Sequence, residues 1–170
     1  MRVKKKSAGS RSVKVEASDS PQSAVARRTA EAQVRTLIDK YVPTHLRLIV
    51  AMRRVLRKHL PTAHEVVYEY QNLGAVVISY SPSEQGYEGV LGVRADAKGV
   101  KLYFSRGKEL PDPEKLLQGS AQARWIAVES AATLVRSAVA SLIDEAIAHN
   151  KVPFANAGRG SVVIRSASGK

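Results

Sequence analysis

The sequence predicts an α+β fold in which an antiparallel sheet of about five strands packs against N-terminal and C-terminal helices. Apolar residues recur at helical spacing through residues 20–60 and again through 131–148. Between these two segments, β-branched and aromatic residues are frequent, and in places they alternate with polar residues. Helices and strands that occupy separate parts of a chain are typical of α+β domains.

Two helices are predicted in the N-terminal third. The first begins near Ser20-Pro21, because serine is a favoured N-cap and proline a favoured first helical residue. Pro43 ends that helix, Thr44 can cap the next one, and Pro61 ends the second. The second helix has an apolar stripe of Leu46, Ile49, Met52, Leu56 and Leu60. Its other face carries Arg47, Arg53, Arg54, Arg57 and Lys58.

Five strands are predicted at 65–71, 75–81, 86–94, 100–105 and 124–130. Asn72-Leu73-Gly74 joins the first two as a hairpin. In the fourth strand, apolar and polar side chains alternate, so one face contacts the core and the other contacts water. The apolar set is Val100, Leu102 and Phe104, and the other set is Lys101, Tyr103 and Ser105. The segment 160–166 has a strand-like composition but is too isolated in sequence to be counted.

Two further helices flank the fifth strand. Asp112 is a suitable N-cap for a short helix with Pro113 at its first position, and Gly119 is placed to end it in the left-handed conformation. Ser130 then caps the last helix, 131–148. In KLLQGSAQARW (115–125), the Gly-Ser pair therefore follows a helix and precedes a strand. This is the reverse of a nucleotide-binding P-loop, which we exclude.

The net charge of +12 is concentrated in the ends of the chain. Residues 1–22 carry +4 and residues 151–170 another +4, and both are rich in Ser, Gly and Ala. Such segments bury too little apolar surface to offset the entropy lost on ordering. We therefore expect flexible basic tails at 1–22 and 151–170 around one domain at 23–150. Deleting 1–20 and 152–170 is then expected to leave the melting temperature nearly unchanged.

Several classes of function lack their sequence signals. The chain has no cysteine, no apolar run long enough for a membrane span and no secretory signal, so we expect a cytoplasmic protein with no membrane span. No nucleophile elbow, dinucleotide fingerprint or paired-histidine metal motif is present. We therefore predict a non-catalytic protein without cofactor or metal. The four histidines, none of which forms such a motif, are His45, His59, His64 and His149.

Several segments resemble the bacterial domain of unknown function 1801, also called YdhG-like. They are Leu60-Pro61 with Glu65, Leu102-Tyr103-Phe104, and PDPEKLLQGS (111–120) with Arg124 downstream. The resemblance covers about residues 32–148. It implies a frataxin-like α/β sandwich, and one branch of the family is regarded as an iron chaperone for iron–sulfur assembly. Iron delivery needs clustered carboxylates. The first helix offers only Glu31 and Asp39 among basic residues, and the second has no acid, which argues against that role.

The remaining chemistry is that of an anion site. Basic side chains follow the fourth strand and open the fifth, and backbone N–H groups near Gly119-Ser120 can add donors. The candidate residues are Lys101, Tyr103, Arg106, Lys108, Gly119, Ser120 and Arg124. An alternative is that Arg124 only binds carbonyls left free where the short helix ends.

The predicted ligand is a small anion or an acidic protein partner. The alternatives are the iron chaperone and non-specific nucleic-acid binding through the basic tails. No aromatic stacking motif accompanies the basic residues in sequence, and the tails contain only Phe154 among aromatic residues.

Overall fold

The computed structural model describes residues 21–166, which form four helices and a six-stranded mixed sheet. The helices are α1 (Ala24–Ile38), α2 (Pro43–His59), α3 (Ala131–Leu134) and α4 (Ser137–Ala148). The strands are β1 (His64–Tyr70), β2 (Ala75–Ser81), β3 (Leu91–Asp96), β4 (Gly99–Phe104), β5 (Arg124–Val128) and β6 (Val162–Ser166). Among these residues, no helix has the length and apolar character needed to cross a membrane.

The strand order is β5-β4-β3-β2-β1-β6. Strands β1 to β5 form an antiparallel meander, and β6 pairs with β1 in parallel. Buried apolar residues of the helices join those of one sheet face in a single core. The α+β class and the packing of helices on the sheet are therefore confirmed, with six strands where the sequence predicted about five.

The two N-terminal helices do not begin where the sequence predicted. Helix α1 begins later, at Ala24, and α2 begins earlier, at Pro43. The Ser23 hydroxyl, and not Ser20, caps α1 by accepting a hydrogen bond from the Ala26 amide. Pro43 is the first residue of α2, with Val42 at the N-cap, so Thr44 does not cap it. The predicted apolar stripe is correct, since Ile49, Met52, Leu56 and Leu60 are buried.

Two arginines of α2, Arg53 and Arg57, belong to a partly buried ion cluster. Arg53 Nε lies 3.0 Å from Glu65 Oε2, and its NH1 lies 3.1 Å from Glu31 Oε2. Arg57 also pairs with both glutamates. The Tyr80 hydroxyl donates to Glu65 Oε2 at 3.0 Å. The cluster joins α1 and α2 to β1 and β2, and Glu65 is only 3% exposed.

The cluster changes the titration of its members. Burial alone would raise the pKa of Glu31, but Arg53 and Arg57 outweigh it and hold that pKa below its ordinary value. Burial and the neighbouring Glu65 raise the pKa of Tyr80 well above its ordinary value. At neutral pH, Glu31 is therefore charged and Tyr80 is neutral, which is the arrangement that the hydrogen bonds require.

The segment 160–166, which the sequence analysis left uncounted and placed in a tail, supplies strand β6. The Glu65 amide donates to Ser161 O at 2.9 Å, and Val162 is buried beside it. The Gln22 side chain donates to and accepts from the Val162 backbone, both at 2.9 Å. Gly160 allows the close approach, because a Cβ there would lie 1.8 Å from Ala63 O. The ordered domain therefore extends past the predicted boundary at 150.

The last helix is divided in two, where one helix over 131–148 was predicted. Ser130 occupies the N-cap position of α3 without a side-chain cap bond, and Arg136 adopts an extended backbone that ends the continuity. The break leaves Leu134 buried and Val135 exposed.

We predict that Glu65→Gln destabilises the protein by roughly 3–5 kcal/mol, because it leaves two arginines with too little opposing charge in a buried site. Urea unfolding measures the change. Asp39→Asn is the matched control, since Asp39 pairs with Arg35 at the surface and its loss should cost at most about 0.5 kcal/mol. Equal stability of the two variants would contradict a structural role for the cluster.

We predict that a chain ending at Ser161 melts about 5–10 °C lower than the full chain, because Val162 and the β1–β6 ladder are lost. This replaces the expectation that deletion of 152–170 has little effect. A chain ending at Ser166 keeps every bond of β6 and is the control for calorimetry. Identical melting of the two shortened chains would show that β6 adds nothing to stability.

Candidate functional site

The sheet face opposite the helices carries a groove of about 670 Å³. Side chains alternate between the two faces of a strand, and Ile78, Val93 and Leu102 point into the core. Their neighbours in sequence therefore point the other way. The strand register aligns three of these neighbours, Val77, Arg94 and Lys101, with Tyr68, which follows the buried Val67 on β1.

Aromatic side chains dominate the groove. It contains five of the nine aromatic residues of the chain, which are Tyr68, Tyr70, Tyr87, Tyr103 and Trp125. The rings of Tyr68 and Tyr70 lie with centroids 6.3 Å apart. Tyr87, on the 3₁₀ turn Gly86–Glu88, is 84% exposed. This turn occupies the first residues of the strand that was predicted at 86–94, so β3 begins only at Leu91.

Two glycines make room for these rings. An added Cβ on Gly92 would lie 2.0 Å from Ile78 O and 2.8 Å from the Tyr103 hydroxyl. On Gly86 it would overlap the Tyr68 hydroxyl. Burial raises the pKa of Tyr103 to about 12, so its hydroxyl is neutral at physiological pH.

The charge of the groove is positive. Arg94 and Lys101 are direct cross-strand partners on β3 and β4. Among the described residues that line the groove, none is acidic. Neither Arg94 nor Lys101 forms an ion pair with any residue in the described range, and the same is true of Arg124. Lys101 Nζ instead lies 4.0 Å from the centroid of the Trp125 ring, a cation–π contact.

The segment before β5 is a loop and not the predicted short helix. The two carboxylate oxygens of Asp112 accept hydrogen bonds from the amides of Leu116 and Leu117, at 2.9 and 2.8 Å. Asp112 thus closes a turn instead of capping a helix, a use for which aspartate is equally suited. Gln118 then pairs with Trp125 in an isolated antiparallel bridge. Gly119 has a φ of 108°, in the positive region that was predicted for it.

Arg124 holds this loop through its carbonyl groups. Its Nε donates to Ala121 O at 2.6 Å, and its NH1 donates to Gly119 O at 2.9 Å. The alternative interpretation of Arg124 is therefore correct in part, because Arg124 binds two carbonyls, but these belong to a loop and not to a helix end. The side chain also lines the groove beside Trp125.

The structure brings three of the seven predicted site residues together in the groove, namely Lys101, Tyr103 and Arg124. The other four lie outside its lining. Arg106 pairs with Glu109 at 3.0 Å. Exposed positions in the neighbouring loops hold Lys108, Gly119 and Ser120.

Sequence reasoning missed Arg94 and four of the aromatic residues. For Tyr68, Tyr70 and Arg94 the sequence signal is alternation within β1 and β3, which places them on the same face as Lys101 once the register is known. Trp125 is the cross-strand partner of Tyr103, and Tyr87 lies on a turn, where alternation gives no signal. Within residues 21–166, no three His, Asp or Glu side chains come together in a group that could hold a metal.

Searches with this chain found no matching protein-family model, no matching curated protein and no matching solved structure. The resemblance to the YdhG-like family therefore stays a prediction.

We predict that Gly119→Ala destabilises the fold by about 1 kcal/mol, since a Cβ is strained at positive φ and would lie 3.3 Å from Trp125 Nε1. Arg124→Ala should cost about 1–2 kcal/mol through its two carbonyl bonds. Thermal or urea unfolding of the ligand-free protein measures both. Lys108→Ala, at an exposed position nearby, is the control, and the loop assignment fails if all three variants behave alike.

Proposed function

We propose that this is a non-catalytic binding protein whose sheet-face groove takes an anionic ligand. The observation that carries the proposal is the cross-strand pair of Arg94 and Lys101. Like charges directly opposite each other destabilise a sheet. The groove lining includes no acid to offset them. An anion bound between them would turn this repulsion into attraction.

The two cations suit the same kind of ligand in different ways. Arginine offers a planar set of donors that matches phosphate or carboxylate oxygens, and lysine adds a mobile point charge. Lys101 now rests on the Trp125 ring and can turn to a ligand without breaking an ion pair. The volume of about 670 Å³ falls within the usual range for ligand sites.

The cytoplasmic location and membership of the YdhG-like family belong to this proposal as well. An acidic segment of a partner protein is the other ligand that matches the charge. No observation within the described residues favours the iron chaperone over these. Nucleic-acid binding through the basic tails depends partly on residues 1–20, which lie outside the described range.

We predict that inorganic phosphate, pyrophosphate or citrate raises the melting temperature of the wild-type protein by several degrees near saturation, because a ligand that prefers the native state stabilises it. In the double variant Arg94→Gln/Lys101→Met the rise should disappear. Its ligand-free melting temperature should equal or exceed that of the wild type, since the like-charge pair is removed.

Arg54→Gln/Lys58→Met removes the same charge from exposed positions on α2 and is the matched control, which should respond to anions as the wild type does. If no anion stabilises the wild type, or if the groove variant responds equally, the groove is not the anion site.

A further inference from the structure

We infer that the ligand of the groove is a short stretch of single-stranded nucleic acid, with phosphates at Arg94 and Lys101 and bases against the aromatic rings. The inference rests on the proposed function and adds the chemical class of the ligand. It goes beyond the basic tails, because it assigns the contact to the folded sheet.

The aromatic residues are what a simple anion leaves unexplained. A phosphate or carboxylate needs donors, but it gains nothing from the rings that line this groove. An acidic peptide brings charge without flat rings. Bases stack on tyrosine and tryptophan rings whatever their sequence, while cations beside the rings hold the backbone. Tyr87 suits this role, since most of its surface is free to receive a base.

The extent of the groove fits a polymer better than a single small molecule. It runs from Tyr68 on β1 to Trp125 on β5, across four strand spacings or about 19 Å. Four-stranded open sheets in RNA-binding domains stack about two or three bases, and the groove here crosses five strands. Next to Tyr68 in register stands Arg165 on β6, whose guanidinium donates to Glu84 O at 2.7 Å.

The strand must be single, because a duplex keeps its bases stacked on one another and offers no ring faces to protein side chains. The basic N-terminal segment complicates the measurement, because residues 1–22 carry +4 and attract any phosphate backbone without regard to rings. A requirement for Tyr87 therefore separates the groove from the tails.

The test measures fluorescence anisotropy of the full chain with labelled 12-nucleotide oligo(U) and oligo(dT), and with a 12-base-pair duplex. We expect the single strands to bind more than tenfold tighter than the duplex. Tyr87→Ala should weaken single-strand binding about tenfold or more, and Tyr87→Phe, which keeps the ring, by less than about twofold. Emission of Trp125, the one tryptophan of the chain, should change on binding as Lys101 leaves its ring.

The salt dependence supplies an independent measure. Each phosphate contact of a single strand contributes about 0.7 to the slope of log affinity against log salt concentration. Arg94→Gln/Lys101→Met should therefore reduce the slope by about 1.4. Two further variants are measured beside it. One is the α2 control Arg54→Gln/Lys58→Met, and the other is the tail variant Lys4→Gln/Lys5→Gln/Lys6→Gln. Both should keep the preference for single strands and the dependence on Tyr87.

Each remaining outcome overturns the inference. If small anions stabilise the protein but oligonucleotides bind without regard to Tyr87, the proposed function survives and the nucleic-acid assignment fails. If adenosine monophosphate binds as tightly as the 12-mers, the ligand is a free nucleotide. If the tail variant abolishes binding while the groove variants keep it, the tails are the site. If neither anions nor oligonucleotides bind, both proposals fail.

Discussion

The buried salt bridges of Glu65 are the interaction on which the arrangement of the molecule depends. One carboxylate on the sheet receives Arg53 and Arg57 from α2 and the Tyr80 hydroxyl from β2, while Glu31 of α1 completes the charge balance. Two positive and two negative groups make the cluster neutral, which is the condition under which buried charge is tolerable. Hydrophobic burial is by itself non-directional. These directional contacts fix α1 and α2 to particular residues of β1 and β2.

Because every described helix contributes to one core on one face, no helix or strand within residues 21–166 covers the other face of the sheet. An antiparallel sheet accepts this arrangement when the open face is polar. Here that face is polar only in part, since it combines rings with cations and has small residues where the rings need space. Gly92 lies beneath Tyr103, and Ser79 stands opposite Gly92 in register. Strand register therefore forms the groove, and the helices pack on the opposite face of the sheet.

The sequence predicted what depends on local pattern. Strand β4 was read correctly because its alternation is complete, and the buried stripe of α2 followed from its spacing. Other predictions were wrong because local preferences compete. A short helix was predicted from Asp112-Pro113, but this pair suits a turn as well as a helix start. The remaining predictions were wrong because they depend on contacts between residues far apart in sequence. The sequence alone does not show that Arg53 pairs with Glu65. It also does not show that β6 pairs with β1. The candidate site was the least predictable part. Its aromatic and basic side chains come from four strands and from the turn that carries Tyr87, and only the pairing of the strands brings them together.

Strand β6 joins β1 across a wide gap in sequence, as the Ser161–His64 hydrogen bond spans 97 residues. The hairpins of β1 to β5 connect close neighbours and can form early, whereas a parallel pairing over that distance requires closure of a long loop. We therefore expect β6 to pair after these hairpins form, so that one edge of β1 stays unpaired during part of folding. Such an edge is a template for strands of other molecules. We expect chains to be most prone to aggregate before β6 pairs, and more so at high concentration, because strand pairing between molecules competes with the pairing of β6.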